Sequence, residues 1–187
     1  MRSVTLKELF DIAVNSRDEI WEKANSLNRD VKVYLHWTAG KYTQKFEDYH
    51  VNITGDGKVY VSTDNLADIL AHTYKRNTGA VGVCLCCAYD ATTEDLGDYA
   101  PTQTQIEVMS QVIVVLARAL NLTIDRYRVM THGEAGDNID GLSPHEQYGQ
   151  NTTVEKWDLA ILSNGDIWGS GGDTLRGKAN FYKDIKF

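Results

Sequence analysis

A chain of 187 residues, 42% hydrophobic and 24% charged, carries enough apolar material for one substantial core and has the make-up of an ordinary globular domain. Its net charge of −7 argues against nucleic acid as the main partner, because phosphate binding needs clustered Lys and Arg. No apolar run approaches the roughly 20 residues of a bilayer crossing, so no membrane insertion is expected.

The chain opens on MRSVTLKELFDIAVNSRDE, in which charged and apolar residues alternate as in an amphipathic helix. The stretch has no continuous apolar segment and no small-residue cleavage site, so no signal peptide is expected and synthesis in the cytoplasm is. Leu6, Leu9, Phe10, Ala13, Ile20 and Trp21 fall near helical spacing and predict a helix over 5–28. VKVYLHW (31–37) is a β-branched and aromatic run, hence a strand, and it stops at Thr38-Ala39-Gly40. YHVNIT (49–54) and KVYVST (58–63) flank Gly55-Asp56-Gly57 and predict a hairpin. AVGVCLCCAY (80–89) is almost wholly apolar, as a central strand buried on both faces would be.

The three cysteines, Cys84, Cys86 and Cys87, all lie in that run. So crowded and odd a set is no disulfide framework, and alternation along a strand would split it between two faces, which disfavours a zinc knuckle. Small buried hydrophobes in a reducing compartment are the expectation.

Thr102 and Gln105, directly after Pro101, have the spacing of a capping box, and Ile106, Met109, Ile113, Leu116 and Leu120 form the apolar stripe of the helix that follows. RYRVMTH (126–132) predicts another short strand. Residues 133–153, rich in Gly, Asp and Asn, predict a long ordered loop, with a last short helix starting near Lys156 or Asp158. Strands and helices interleave around one sheet, which implies an α/β domain of mixed strand directions.

Of five histidines, His36 and His132 each end a predicted strand, where sites in α/β sheets tend to form. Two imidazoles meeting there could share a metal, with a third ligand from a loop and a fourth position left for water, the catalytic arrangement of zinc. Spacing alone leaves open the alternative that each histidine merely holds a loop.

The local words YLHWTAG (34–40), DYHVNITGDGKVY (48–60), AHTYKRNTGAVGVCL (71–85), PTQTQIEVMSQVI (101–113), THGEA (131–135) and KWDL (156–159) occur in this order. Together they resemble the type 2 zinc N-acetylmuramoyl-L-alanine amidases, a family that includes amidase-type phage lysozymes, muropeptide-recycling amidases and peptidoglycan recognition proteins. The resemblance runs from about residue 31 to about residue 160. It implies a single domain with a central mixed sheet flanked by helices: one catalytic domain over 1–187, with a helical extension at 1–30, the amidase core at 31–160 and a tail at 161–187. The tail is too short for a separate wall-binding domain, and its Trp168 and Tyr182 are expected to pack, with extension of the groove as the alternative.

The same resemblance implies Zn2+ held by His36, His132 and Asp158. It places Tyr49 as a catalytic tyrosine near the metal, Lys156 as the lysine facing the developing oxyanion, and His72 and Asn77 along the substrate groove. Several relatives carry a Glu general base where this chain has Cys84, although some amidase-type phage lysozymes also have Cys there. The base role therefore passes to Tyr49 acting with the zinc. Glu134 is expected to stand outside the ligands, His50 to be structural and His145 to make a loop contact. Asp137, Asn138 and Asp140 lack a full calcium-loop pattern.

The activity implied is hydrolysis of the amide between N-acetylmuramic acid and L-alanine by a monomeric endolysin-type enzyme acting on peptidoglycan or muropeptides. A non-catalytic peptidoglycan-binding module, a cytoplasmic recycling amidase and a zinc amidase for another acylated peptide are the alternatives.

Overall fold

The computed structural model describes residues 1–137, 157–184 and 186. Its centre is a mixed sheet of six strands, β1 (Arg2–Val4), β2 (Lys32–Trp37), β3 (Val51–Ile53), β4 (Val59–Val61), β5 (Ala80–Leu85) and β6 (Val129–Thr131), in the order β1-β4-β3-β5-β2-β6. Strands β3, β5, β2 and β6 run parallel, while β4 is antiparallel to β3 and β1 to β4. The two longest, β2 and β5, are buried at every position, as their near-continuous apolar sequences require of central parallel strands.

Helix α1 (Leu6–Asn25) starts at a capping box in which the Thr5 hydroxyl accepts from the Glu8 N–H and the Glu8 carboxylate from the Thr5 N–H. Helix α2 (Gln103–Leu120) has the capping box read from Thr102 and Gln105, and it stops where Asn121 turns left-handed at φ 65°. Strand alternation sends Val33, Leu35, Val51, Ile53, Val81 and Val83 into the core beneath α1 and α2. The paired residues of opposite parity, His36, Cys84 and Asn52, share the other face. That face carries the chemistry.

Several expectations need correcting. Arg2–Val4 pairs with β4, a strand too short for any periodicity to announce. The hairpin is present, with Gly57 at φ 80°, but its strands shrink to three residues each. Strand β5 ends at Leu85, because the chain turns out of the sheet through Ala88 at φ 69° and meets Gly40 in an isolated bridge. His132 does not end a strand; it opens helix α3 (His132–Gly136), capped by Thr131, where a loop was expected from Gly133. No helix begins at Asp158: Asp158 and Leu159 form a turn, Leu159 is left-handed at φ 58°, and helix α4 (Ser170–Tyr182) follows later. The rest of the expected loop, with Asn138, Asp140 and His145, lies outside the described residues, as does Lys156. Among the described residues, no helix is long and apolar enough to cross a membrane.

Candidate metal centre

Three elements bring His36, His132 and Asp158 together. His36 stands near the C-terminal end of β2, His132 is the first residue of α3 directly after β6, and Asp158 lies on the turn that leads towards α4. Because β2 and β6 are parallel neighbours, their ends deliver both imidazoles to one place. The rings lie 4.8 Å apart, centroid to centroid, with their planes nearly perpendicular.

One carboxylate oxygen serves both histidines. Asp158 Oδ2 is 3.2 Å from His36 Nδ1 and 3.5 Å from His132 Nδ1, and the three potential ligand atoms all lie within 4.8 Å of one another. A tetrahedral zinc with bonds of about 2.0–2.1 Å has ligand-to-ligand edges of about 3.3 Å. The two edges through Asp158 match that value, and the donor set of two imidazoles and a carboxylate suits zinc, so the residues fit the ion. Burial alone would raise the Asp158 carboxyl, but hydrogen bonding and charge from His132 and His36 outweigh it and hold the group down at about 2.

Behind His36 lies a bridge that nothing in the sequence pattern announced. Thr73 Oγ1 is 3.3 Å from His36 Nε2 and 2.9 Å from His72 Nδ1, and all three residues are buried. With Nδ1 facing the ligand position, His36 donates through Nε2 to Thr73, whose hydroxyl donates on to His72. Such outer contacts fix the tautomer and orientation of a ligating imidazole.

The remaining expected residues divide clearly. Tyr49 sits beside the triad, its ring 5.0 Å from that of His36. Burial, then the negative charge of Asp158, pushes its phenol well above the ordinary range, so at neutral pH the group is a hydrogen-bond donor. His72 lines the same cavity, about 230 Å³ in volume, together with Trp37, Thr38, Tyr49, His132, Trp157 and Asp158. Asn77 does not line it; its Oδ1 accepts from the N–H groups of His72 and Thr73 and pins that loop.

Cys84 pairs with His36 in the sheet and donates from Sγ to Asn52 Oδ1 at 3.2 Å. Burial raises its thiol well above the usual range, so it cannot stand in for a carboxylate base. His50 is locked away from the triad, accepting at Nδ1 from the Gly82 N–H and donating from Nε2 to the Asp68 carbonyl. In the tail, Trp168 stacks on Trp157 at 5.4 Å, and Trp157 meets Trp37 edge-on at 4.6 Å, so this aromatic column backs the cavity wall.

The sequence of residues 26–152 matches the profile of the N-acetylmuramoyl-L-alanine amidase family. No curated protein and no solved structure gives a significant match. The matched segment contains His36, Tyr49, His72 and His132, and Asp158 falls just beyond it. Since the match spans more than half of the 187 residues, the chain belongs to the N-acetylmuramoyl-L-alanine amidase family.

Proposed function

We propose that this chain is a zinc-dependent N-acetylmuramoyl-L-alanine amidase that hydrolyses the amide between N-acetylmuramic acid and L-alanine in peptidoglycan. The observation that carries the reading is the convergence of His36, His132 and Asp158, with the two edges through Asp158 at 3.2 and 3.5 Å, beside a cavity lined by His132, Asp158, Tyr49 and His72. Zinc held by these three residues supplies a hydrolytic nucleophile at neutral pH and a Lewis acid for the scissile carbonyl. Tyr49 donates a hydrogen bond towards the reacting carbonyl or orients the attacking oxygen through its phenol. Lys156, by the resemblance, supplies the positive charge that the developing oxyanion requires. His72 holds the ring of His36 in place through Thr73 and closes one side of the cavity.

An endolysin-type role on intact cell wall is part of the proposal, supported by the Cys84 position, which resembles that of amidase-type phage lysozymes. The test is release of L-alanine-terminated peptides from purified sacculi. Activity lost to a chelator and restored by zinc is the expected result; a protein with no such activity would overturn the enzyme reading in favour of a binding module. Strong turnover of soluble muropeptides with none on sacculi would replace the lytic role by recycling.

A further inference from the structure

Helix α4 lies beyond the family-matched segment, yet it grips the backbone beside two of the three candidate ligands. Its first turn closes on the turn that follows Asp158. The N–H groups of Gly169 and Gly171 both donate to the Ala160 carbonyl, at 2.9 and 3.1 Å. A Cβ at Gly171 would lie 1.9 Å from the Leu159 carbonyl oxygen, so only glycine allows this approach. One residue on, a Cβ at Gly172 would lie 2.6 Å from the carboxylate of Glu134.

Glu134 in turn belongs to the turn that presents His132. Its carboxylate accepts from the Thr131 N–H at 2.9 Å, and its own N–H donates to the Thr131 hydroxyl at 3.1 Å. Arg176 of α4 closes the circuit with two parallel bonds of 2.8 Å to the two Glu134 oxygens and a third, of 3.0 Å, to the Val129 carbonyl of β6. Arg176 is 5% and Glu134 1% exposed, so the pair is desolvated. Buried ion pairs are poor devices for stability as such, since apolar replacements often do as well. A bidentate fork does what an apolar contact cannot: it fixes direction and distance.

We propose that Glu134 and Arg176 are positioning residues for the metal, and that α4 acts through them and its paired glycines to set the separation of His132 and Asp158. This rests on reading the triad as a zinc site. The test compares Arg176→Lys, which keeps the charge but loses the fork, and Glu134→Gln, which keeps acceptor and donor atoms at Thr131, with the wild type. Lys178→Met and Tyr182→Phe serve as controls, because both residues tie α4 to Glu107 of α2, away from the ligand segments. Two quantities are read: zinc affinity by competition with a chromophoric chelator, and the visible spectrum of the cobalt-substituted protein.

Arg176→Lys and Glu134→Gln are expected to stay folded by circular dichroism, to bind zinc about 10–100-fold more weakly and to shift the cobalt bands. The controls are expected to lose thermal stability while keeping wild-type affinity and spectrum. Wild-type affinity and spectrum in both Glu134→Gln and Arg176→Lys would overturn the proposal, as would equal weakening in the controls. If Arg176→Lys does not fold, Glu134→Gln decides alone. A wild-type protein that binds neither zinc nor cobalt would instead refute the metal site itself, a result distinct from variants that match a metal-binding wild type.

Discussion

The imidazole of His72 lies directly over Gly82 of β5, so close that a Cβ there would stand 2.6 Å from His72 Cγ. The missing side chain is what lets His72 reach Thr73 and, through it, His36. Gly82→Ala should therefore push a buried ring out of place. Alanine favours a strand over glycine by roughly 0.5–1 kcal/mol, but overpacking costs about 1–3 kcal/mol, so the net expectation is destabilisation of about 1–2 kcal/mol. A fall in the urea midpoint, together with weaker zinc binding, is the expected result; an unchanged or raised midpoint would show that the ring has room to move.

Thr73→Val tests the bridge without changing the volume of the side chain. It leaves His36 Nε2 and His72 Nδ1 buried without the hydroxyl that joins them, a loss of about 1–3 kcal/mol in stability. Loss of such an outer contact weakens metal binding by about 10–100-fold, whereas Thr73→Ser should stay near wild type. Chelator competition measures both, and equal affinity in Val and Ser variants would remove Thr73 from any role at the site.

What the sequence revealed followed from how local each feature is. The caps at Thr102 and Gln105, the apolar β5 and the Asp-Gly hairpin are written in contiguous residues, so α2, the central strand and the turn were all legible. His36 and His132 could be paired because each stands at the end of a recognisable β-branched run. Asp158 came only through the resemblance, since a loop aspartate has no local signature. Thr73 and the Glu134–Arg176 pair were invisible because their partners lie 37 and 42 residues away in sequence. Helix α4 was misplaced because its first turn, Ser170-Gly171-Gly172, reads as loop, and the close approach that demands those glycines is a tertiary fact.

His50 makes acid a specific threat to the fold. It is buried and neutral, with both ring nitrogens hydrogen-bonded, and desolvation lowers its pKa to about 4 from an ordinary 6.5. Between these values the unfolded chain binds a proton that the folded chain does not, so stability rises with pH across this window and is complete above it. At 1.36 kcal/mol per unit the full effect is about 3 kcal/mol. His72, also lowered by burial and by its neighbouring histidines, acts in the same direction. Urea midpoints of chelator-treated protein at pH 5 and pH 7.5 should differ more in the wild type than in His50→Gln. Equal pH dependence in the two proteins would show that His50 is not the group responsible.

The clearest separation between holding the metal and using it lies two residues apart, at Asp158 and Lys156. Asp158 contributes one of the three candidate ligand atoms, so Asp158→Ala should lose stoichiometric zinc and all turnover together. Lys156 carries a charge that no role in the ligand set requires. Lys156→Ala should thus keep its zinc and its fold but lose about 10²–10³ in kcat, the usual weight of one oxyanion donor, with KM little changed. Zinc content by atomic absorption, read beside the kinetics on muropeptides, distinguishes the two. Stoichiometric zinc in Asp158→Ala would break the ligand assignment, and near-normal kcat in Lys156→Ala would leave charge stabilisation to the metal and Tyr49 alone.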